Sequence, residues 1–477
     1  MHSPSTRRAR AWQSVRKIFT SSHHHFPTIQ RLRQTNVVER LVRCLALARL
    51  PRLQFELVWA LSMATWDMAD VVFASGVVQH YVDLLTSPSG GIREQTCWAL
   101  GNLAAVGSQQ ADEILARGGL EHALVVLEAV SEVQDADYAR VYQESALFEH
   151  GMPAVTTTRA NLLKQASWAV SALVRHGSLT VQQASRLADS LPALAALLYT
   201  ADDPSVWANV TWTLADFAAF NARRVVELGV FSKLLVEALH PHLTVRGGSL
   251  RCICLILASD GVAARMLVAK GLLTVLASTL ALRQAELYSD AAWALSAMCS
   301  MGAWFTARML DNKMLVLVLA KRAAQSTLDS ETKRDALRVI VRLVEDTRSA
   351  EDARHMGGAL GVFVALASAL DSTYDPVVVE LALDATRAFL AVGRRSGDRG
   401  LIARELEEAG CLTRLHALER TLPVKLPLWA KVQAVIDCFA DEWDEQGWFA
   451  ASVALPRELG AVEVRQPLQP FEPDFNV

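Results

Sequence analysis

An excess of charge of either sign is missing from this chain. Its 477 residues carry 47 Lys and Arg against 50 Asp and Glu, a net of -3, so the basic surplus of a general nucleic-acid surface is absent and no direct nucleic-acid partner is expected. Long apolar runs are also lacking. Stretches such as Met314 to Ala320 fall short of the roughly 20 residues a helix needs to cross a bilayer, and no membrane insertion is expected. The cysteines, Cys44, Cys97, Cys252, Cys254, Cys299, Cys411 and Cys438, are scattered through apolar helical segments, where they read as small hydrophobes in a reducing compartment. His23, His24 and His25 are consecutive, cannot share a helix face and bring no further metal ligands with them. There is no Gly-rich phosphate loop and no nucleophile elbow, and Asp202 with Asp203 reads as a polar loop before Pro204. An enzyme, a cofactor and a metal centre are therefore not expected.

What is present is repetition. The stretch Arg93 to Ala105, REQTCWALGNLAA, recurs in degraded form as WALSM from Trp59, WAVSA from Trp168, WTLAD from Trp212 and WALSA from Trp293, each in a segment of helical apolar periodicity. In the same register Arg251, Arg338 and Asp384 take the Trp position, so the anchors run 59, 98, 168, 212, 251, 293, 338, 384, and all steps but one are 39 to 46 residues. That period belongs to armadillo and HEAT solenoids, whose helical units have their apolar faces covered only by neighbours. A hydrophobic content of 52% suits one long continuous core of this kind. Gly76, Gly118 with Gly119, Gly229, Gly271, Gly357 with Gly358, and Gly410 each follow a short apolar helix and precede a longer one, as C-terminal caps do, and Asn312 takes this place in one interval as a left-handed cap. The fold expected is all-α: a right-handed armadillo-repeat superhelix, or solenoid, with three helices per repeat, the third carrying the anchor.

Composition places the boundaries. Residues 1–10 form a short basic arm with Arg7, Arg8 and Arg10, and residues 11–450 form the solenoid, opening on helices over Ala11 to Phe19 and Val37 to Leu50. The one long step, between Trp98 and Trp168, holds an exposed inserted loop at about 131–159, rich in Glu, Asp, Ser and Thr. Residues 451–477 lose periodicity, collect prolines and read as an extended tail.

Trp98 and Asn102 are four apart and share a helix face, with Gln95 almost one turn earlier. An amide can clamp a peptide bond, and an indole packs the aliphatic stem of Lys or Arg and attracts its charge. A lone Trp on an amphipathic helix is more often core, but Trp59, Trp98, Trp168, Trp212 and Trp293 recur at one repeat phase. The phrases QFELVWALSMA, REQTCWALGNLAA, SDAAWALSAM and EEAGCLTRLHALE, over about Ala11 to Glu442, resemble the third helices and closing repeat of importin-α, the armadillo adaptor for nuclear localisation signals.

The resemblance implies a peptide-binding row of Trp59, Gln95, Trp98, Asn102, Trp168, Trp212, Arg251 and Trp293. It also implies basic signal peptides of cargo as ligands, importin-β, an exportin and nucleoporins as partners, and a place in cytoplasm and nucleus. Met63, Ala172, Leu255 and Ala297 stand where that family has Asn, Val106 stands where it has Asp, and Arg338 with Arg342 replaces a late Trp and Asn pair, so repulsion of a second basic cluster is expected there. The N-terminal arginines are fewer than in the family's importin-β-binding segment, and recruitment of importin-β in the family's manner is not expected. The alternative function is an armadillo scaffold holding other partners in the same concave groove.

Overall fold

The structure, a computed structural model, describes residues 26–133, 157–282, 284–325, 330–371, 375–397 and 400–444. The basic arm, the expected helix Ala11 to Phe19, the three consecutive histidines, most of the inserted loop and the tail lie outside these residues. Every regular element among them is a helix, and the chain divides into two compact units, one ending at Leu319 and the other starting at Ala320.

In the first unit the anchor-bearing third helices follow in order. They are Pro51–Ala74 with Trp59, Gly90–Ala104 with Trp98, Arg159–His176 with Trp168, Pro204–Glu227 with Trp212, Leu243–Ser259 with Arg251 and Ala285–Ser300 with Trp293, and each packs on the next. The second unit repeats the scheme with Ser330–Asp346, Pro376–Ser396 and Pro427–Asp444. The Trp98 helix illustrates why these sequences stack. Ile92, Cys97, Leu100 and Leu103 are fully buried, and Thr96, Ala99 and Gly101 beside them are small enough to let neighbouring helices approach. Each large apolar side chain so covered contributes about 1.5–3 kcal/mol. Gln95, Trp98 and Asn102 remain half-exposed on the other stripe of the same helix. Burial also pushes the Cys97 and Cys252 thiols up to about 12, so they behave as small hydrophobes.

Helix starts are set by short polar side chains. The Ser89 hydroxyl accepts from the Ile92 N–H, the Asp260 carboxylate accepts from Val262 and Ala263, and Thr180 with Gln183 forms a capping box. Gly76, Gly118, Gly229, Gly271 and Gly410 are left-handed, as the repeat register anticipates, with Gly271 at φ 100°. Two other expected caps are corrected. Asn312 has φ -89° and ψ 82°, and its side-chain oxygen accepts from Leu315 N–H, so it opens the following helix instead of closing the preceding one in the left-handed region. Gly357 and Gly358 lie within a π turn, His355–Ala359, and the left-handed residue is Gly361 at φ 80°. The glycine at 357 is needed for proximity, because a Cβ there would collide with the Phe363 ring.

The expected three separate helices per repeat give way to fused ones in places. Pro51–Ala74 and Pro204–Glu227 each join a third helix to the first helix of the next repeat, with breaks at Met68 (φ -140°) and Asn221 (φ -149°). Val181–Thr200 runs a first helix into a second across Pro192. The fused Pro51–Ala74 helix has 24 residues and holds an 18-residue stretch of mean hydropathy 1.3, long and apolar enough to cross a membrane by length and composition, which the short apolar runs do not suggest. Half of that stretch is buried, where Val37–Leu47 and Gly90–Ala104 pack on the helix, while Trp66 is 59% exposed; Glu56 is buried against Arg52 at 2.7 Å. Phe26–Arg33 is a helix that the histidine-rich sequence did not announce.

Candidate functional site

The anchor positions lie on successive, touching third helices, so the row read from the sequence becomes a row in space across the first unit. Its best-organised part spans three repeats. Asn102 Nδ2 donates to Ser62 Oγ at 3.4 Å, and Trp168 Nε1 donates to Asn102 Oδ1 at 3.3 Å. One amide thus ties the Trp59, Trp98 and Trp168 helices together and fixes the plane of the Trp168 indole. Gly101 makes the approach possible, since a Cβ there would collide with Cδ1 and Nε1 of that ring. Ser62 is fully buried and Asn102 half-exposed, so the network is anchored below and open above. Gln95 is half-exposed, but its Oε1 is buried and has no hydrogen-bond partner among the described residues.

Glu94, next to Gln95, accepts a hydrogen bond from the Thr157 hydroxyl. Burial pushes its carboxyl above the ordinary range, although the Thr157 bond works the other way. At the ends of the row the geometry differs. Trp59 meets Phe55 edge-on at 5.5 Å. Val106 is 48% exposed and presents an apolar side chain at the far end of the Trp98 helix.

Trp212 is covered by its own chain. The Arg175 guanidinium lies 3.9 Å from the ring centroid, and Arg175 Nε donates to Asp216 Oδ2 at 3.2 Å. Arg251 is engaged with Asp290 at 2.6 Å, and Trp293, 45% exposed, has Ala297 where an amide would complete it. In the second unit Arg338 pairs with Asp335 at 2.7 Å and Arg342 with Glu345 at 3.1 Å. The unmatched repulsion anticipated for these two arginines is therefore reduced, because each carries a carboxylate one turn away.

The structure brings Asn102 and Trp168, with buried Ser62, into one hydrogen-bonded arrangement beside Trp98 on the same helix as Asn102 and finds Trp212 and Arg251 already occupied. Sequence reasoning missed Ser62, Gly101, Glu94, Arg175 and Asp216. Of these, Asp216 was visible as the residue four after Trp212 in WTLAD. Ser62 and Arg175 are recognised only through partners about 40 residues away. Among the described residues no three His, Cys, Asp or Glu side chains gather as metal ligands would.

Comparison with known proteins agrees with this register. The family described as Armadillo/beta-catenin-like repeat matches residues 67–105, starting at the break in Pro51–Ala74 and ending just past the Trp98 helix. Importin subunit alpha-1b of Oryza sativa subsp. japonica is 31% identical over 240 residues, covering 49% of this chain and 39% of that protein. Importin subunit alpha-1a of the same plant is 30% identical over 277 residues, 57% of this chain and 47% of that protein. The chain thus spans less than half the length of these relatives in the matched stretch. An engineered protein of known crystal structure superimposes with a TM-score of 0.68 at 19% identity, covering 92% of this chain and 97% of that one, a likeness of fold alone. Repeat register, helical stack and partial sequence identity together make this chain an all-helical armadillo-repeat protein that is similar to importin-α over about half of its length.

Proposed function

We propose that the chain is an importin-α-like adaptor that binds lysine-rich, nuclear-localisation-type segments of cargo proteins and moves between cytoplasm and nucleus. The observation that carries this reading is the Ser62, Asn102 and Trp168 network, which holds an indole and an amide side by side next to Trp98. A basic segment lying across it packs its aliphatic stems on Trp98 and Trp168. Met63 and Ala172 supply no amide at the flanking positions, and each missing amide bond is worth about 1 kcal/mol, so affinity is about tenfold or more below that of a fully furnished groove. Fluorescence anisotropy with a labelled lysine-rich peptide tests this at low and physiological salt. Binding that weakens in Trp98→Ala is expected; affinity indifferent to Trp98 and Asn102 would remove the groove as the site.

The competing reading, an armadillo scaffold for other partners, draws on exposed Val106 and on the paired arginines of the second unit. Capture experiments from nuclear and cytosolic extract separate the two. Importin-β, an exportin and nucleoporins in the eluate are expected from the adaptor, and exclusively cytoskeletal or signalling partners from the scaffold.

A further inference from the structure

Arg175 sits in the last turn of Arg159–His176, one repeat before Trp212, with its side chain 34% exposed. It lays its guanidinium over the Trp212 ring at 3.9 Å and donates to Asp216 at 3.2 Å. Trp212 and Asp216 are four residues apart and share one face of Pro204–Glu227, so indole and carboxylate converge on a single cation. These are the two interactions that a lysine or arginine arriving from outside makes: the negative face of an aromatic ring and an acceptor carboxylate. Half-buried Asp216 has such a cation in Arg175. Burial pushes its carboxyl up, and Arg175, with His176 and Arg251 further off, works against that. Arg251 has its own carboxylate in Asp290, at 2.6 Å, which leaves Arg175 as the residue in direct contact.

Room for an incoming side chain already exists beside the ring. Trp212, Leu243, Gly247 and Leu287 wall a pocket of about 460 Å³, with Gln284 and Asp290 as polar lining. Gly247 keeps it open on the indole side, where a Cβ would stand 3.3 Å from Trp212 Cζ2. An aliphatic stem therefore has an apolar wall to follow beside the indole.

We infer that Trp212 and Asp216 form a latent cation-binding subsite held closed by Arg175. A basic peptide lying at Trp98 and Trp168 then finds no further lysine site at Trp212 until Arg175 is withdrawn. The inference rests on the peptide-binding reading of the groove only for which segment delivers the cation. Neighbouring helices pack about 8–10 Å apart and an extended chain advances about 3.3 Å per residue, so the extra cation belongs about three residues beyond the one at Trp168.

The test compares three labelled peptides by anisotropy: a short lysine cluster, the same cluster extended by one lysine about three residues beyond either end, and the same extension ending in alanine. Against the wild-type chain the lysine extension should gain less than about twofold. Against Arg175→Ala it should gain about threefold to tenfold over the alanine extension, the size of a partly exposed cation–π contact with an ion pair. Arg175→Ala with Trp212→Ala should lose the gain, and Arg175→Lys should stay closed. If Arg175→Ala does not fold by circular dichroism, Arg175→Gln keeps most of the stem and takes the same test. No lysine-specific gain in a folded, arginine-free variant overturns the latent site. Failure of the wild type to bind the short cluster overturns the groove reading instead, and a lysine-specific gain in Arg175→Ala would still uphold the subsite.

Discussion

At the residue scale, Asn102 joins stability to recognition, because its amide faces a buried hydroxyl on one side and an indole N–H on the other. Replacing it with Ala removes both partners. Peptide affinity should fall by about tenfold, because the amide contact is lost and the Trp168 indole loses the acceptor that fixes its plane, and stability should fall by about 1–3 kcal/mol as the buried Ser62 hydroxyl is left unmatched. Ser62→Ala provides the sharper measurement: Ser62 is buried out of reach of a peptide, yet anisotropy should report a loss of a fewfold as Asn102 loses its anchor. Unchanged affinity would mean that Ser62 does not set the amide's orientation. Gly101→Ala should destabilise by about 1–3 kcal/mol through overpacking and weaken the peptide by displacing Trp168.

Glu128 belongs to the same scale. Its carboxyl is held below the ordinary value, chiefly by the hydrogen bonds from Arg186 at 2.7 and 2.8 Å. A depressed carboxylate contributes stability above its unfolded pKa and loses it as pH falls through the lower folded one. The pair is about 30% exposed on each side, so the contribution is at most about 1 kcal/mol. Thermal melts of Arg186→Ala should therefore differ from wild type at neutral pH and converge with it in acid. A difference that persists below the folded pKa would show that Arg186 acts through packing.

At the scale of the element, the turn between first and second helices is where one residue type is demanded. Gly271 holds φ 100° and has open space where a Cβ would stand, with nothing within 4 Å, so Gly271→Ala costs backbone strain alone, about 1 kcal/mol. Gly261 also has open space around it but sits at the start of a helix without a positive φ, and Gly261→Ala should be neutral or mildly stabilising. Comparing the two melting temperatures isolates the left-handed requirement. Equal shifts would show that the turn accommodates a side chain by relaxing.

At the scale of the whole molecule, each repeat is covered by its neighbours, so stability in the first unit is shared along the stack. Excising residues 213–251, one anchor step, removes a repeat and replaces two native interfaces with one new one. Urea unfolding should show a lower midpoint and a smaller slope, the slope following the surface lost. Leu100→Ala, in a fully buried mid-stack position, should cost about 2–5 kcal/mol with the slope nearly unchanged. An unchanged midpoint after excision would contradict the nearest-neighbour account.

The sequence by itself determined the repeat, its period, the third-helix anchors and most of the left-handed glycines, because these depend on periodicity and backbone preference within one short segment. It also marked Trp98 and Asn102, whose common face follows from helical spacing. Only the tertiary structure decided which anchors are open. Arg175 reaches Trp212, Asn102 reaches Ser62 and Trp168, and Arg251 reaches Asp290 across intervals of about 40 residues or more. Such partners are chosen by how neighbouring helices are rotated and staggered. The same reason explains Gly357, placed by the Phe363 ring, and the apolar Pro51–Ala74 helix, half of whose apolar stretch becomes core where neighbouring helices pack on it.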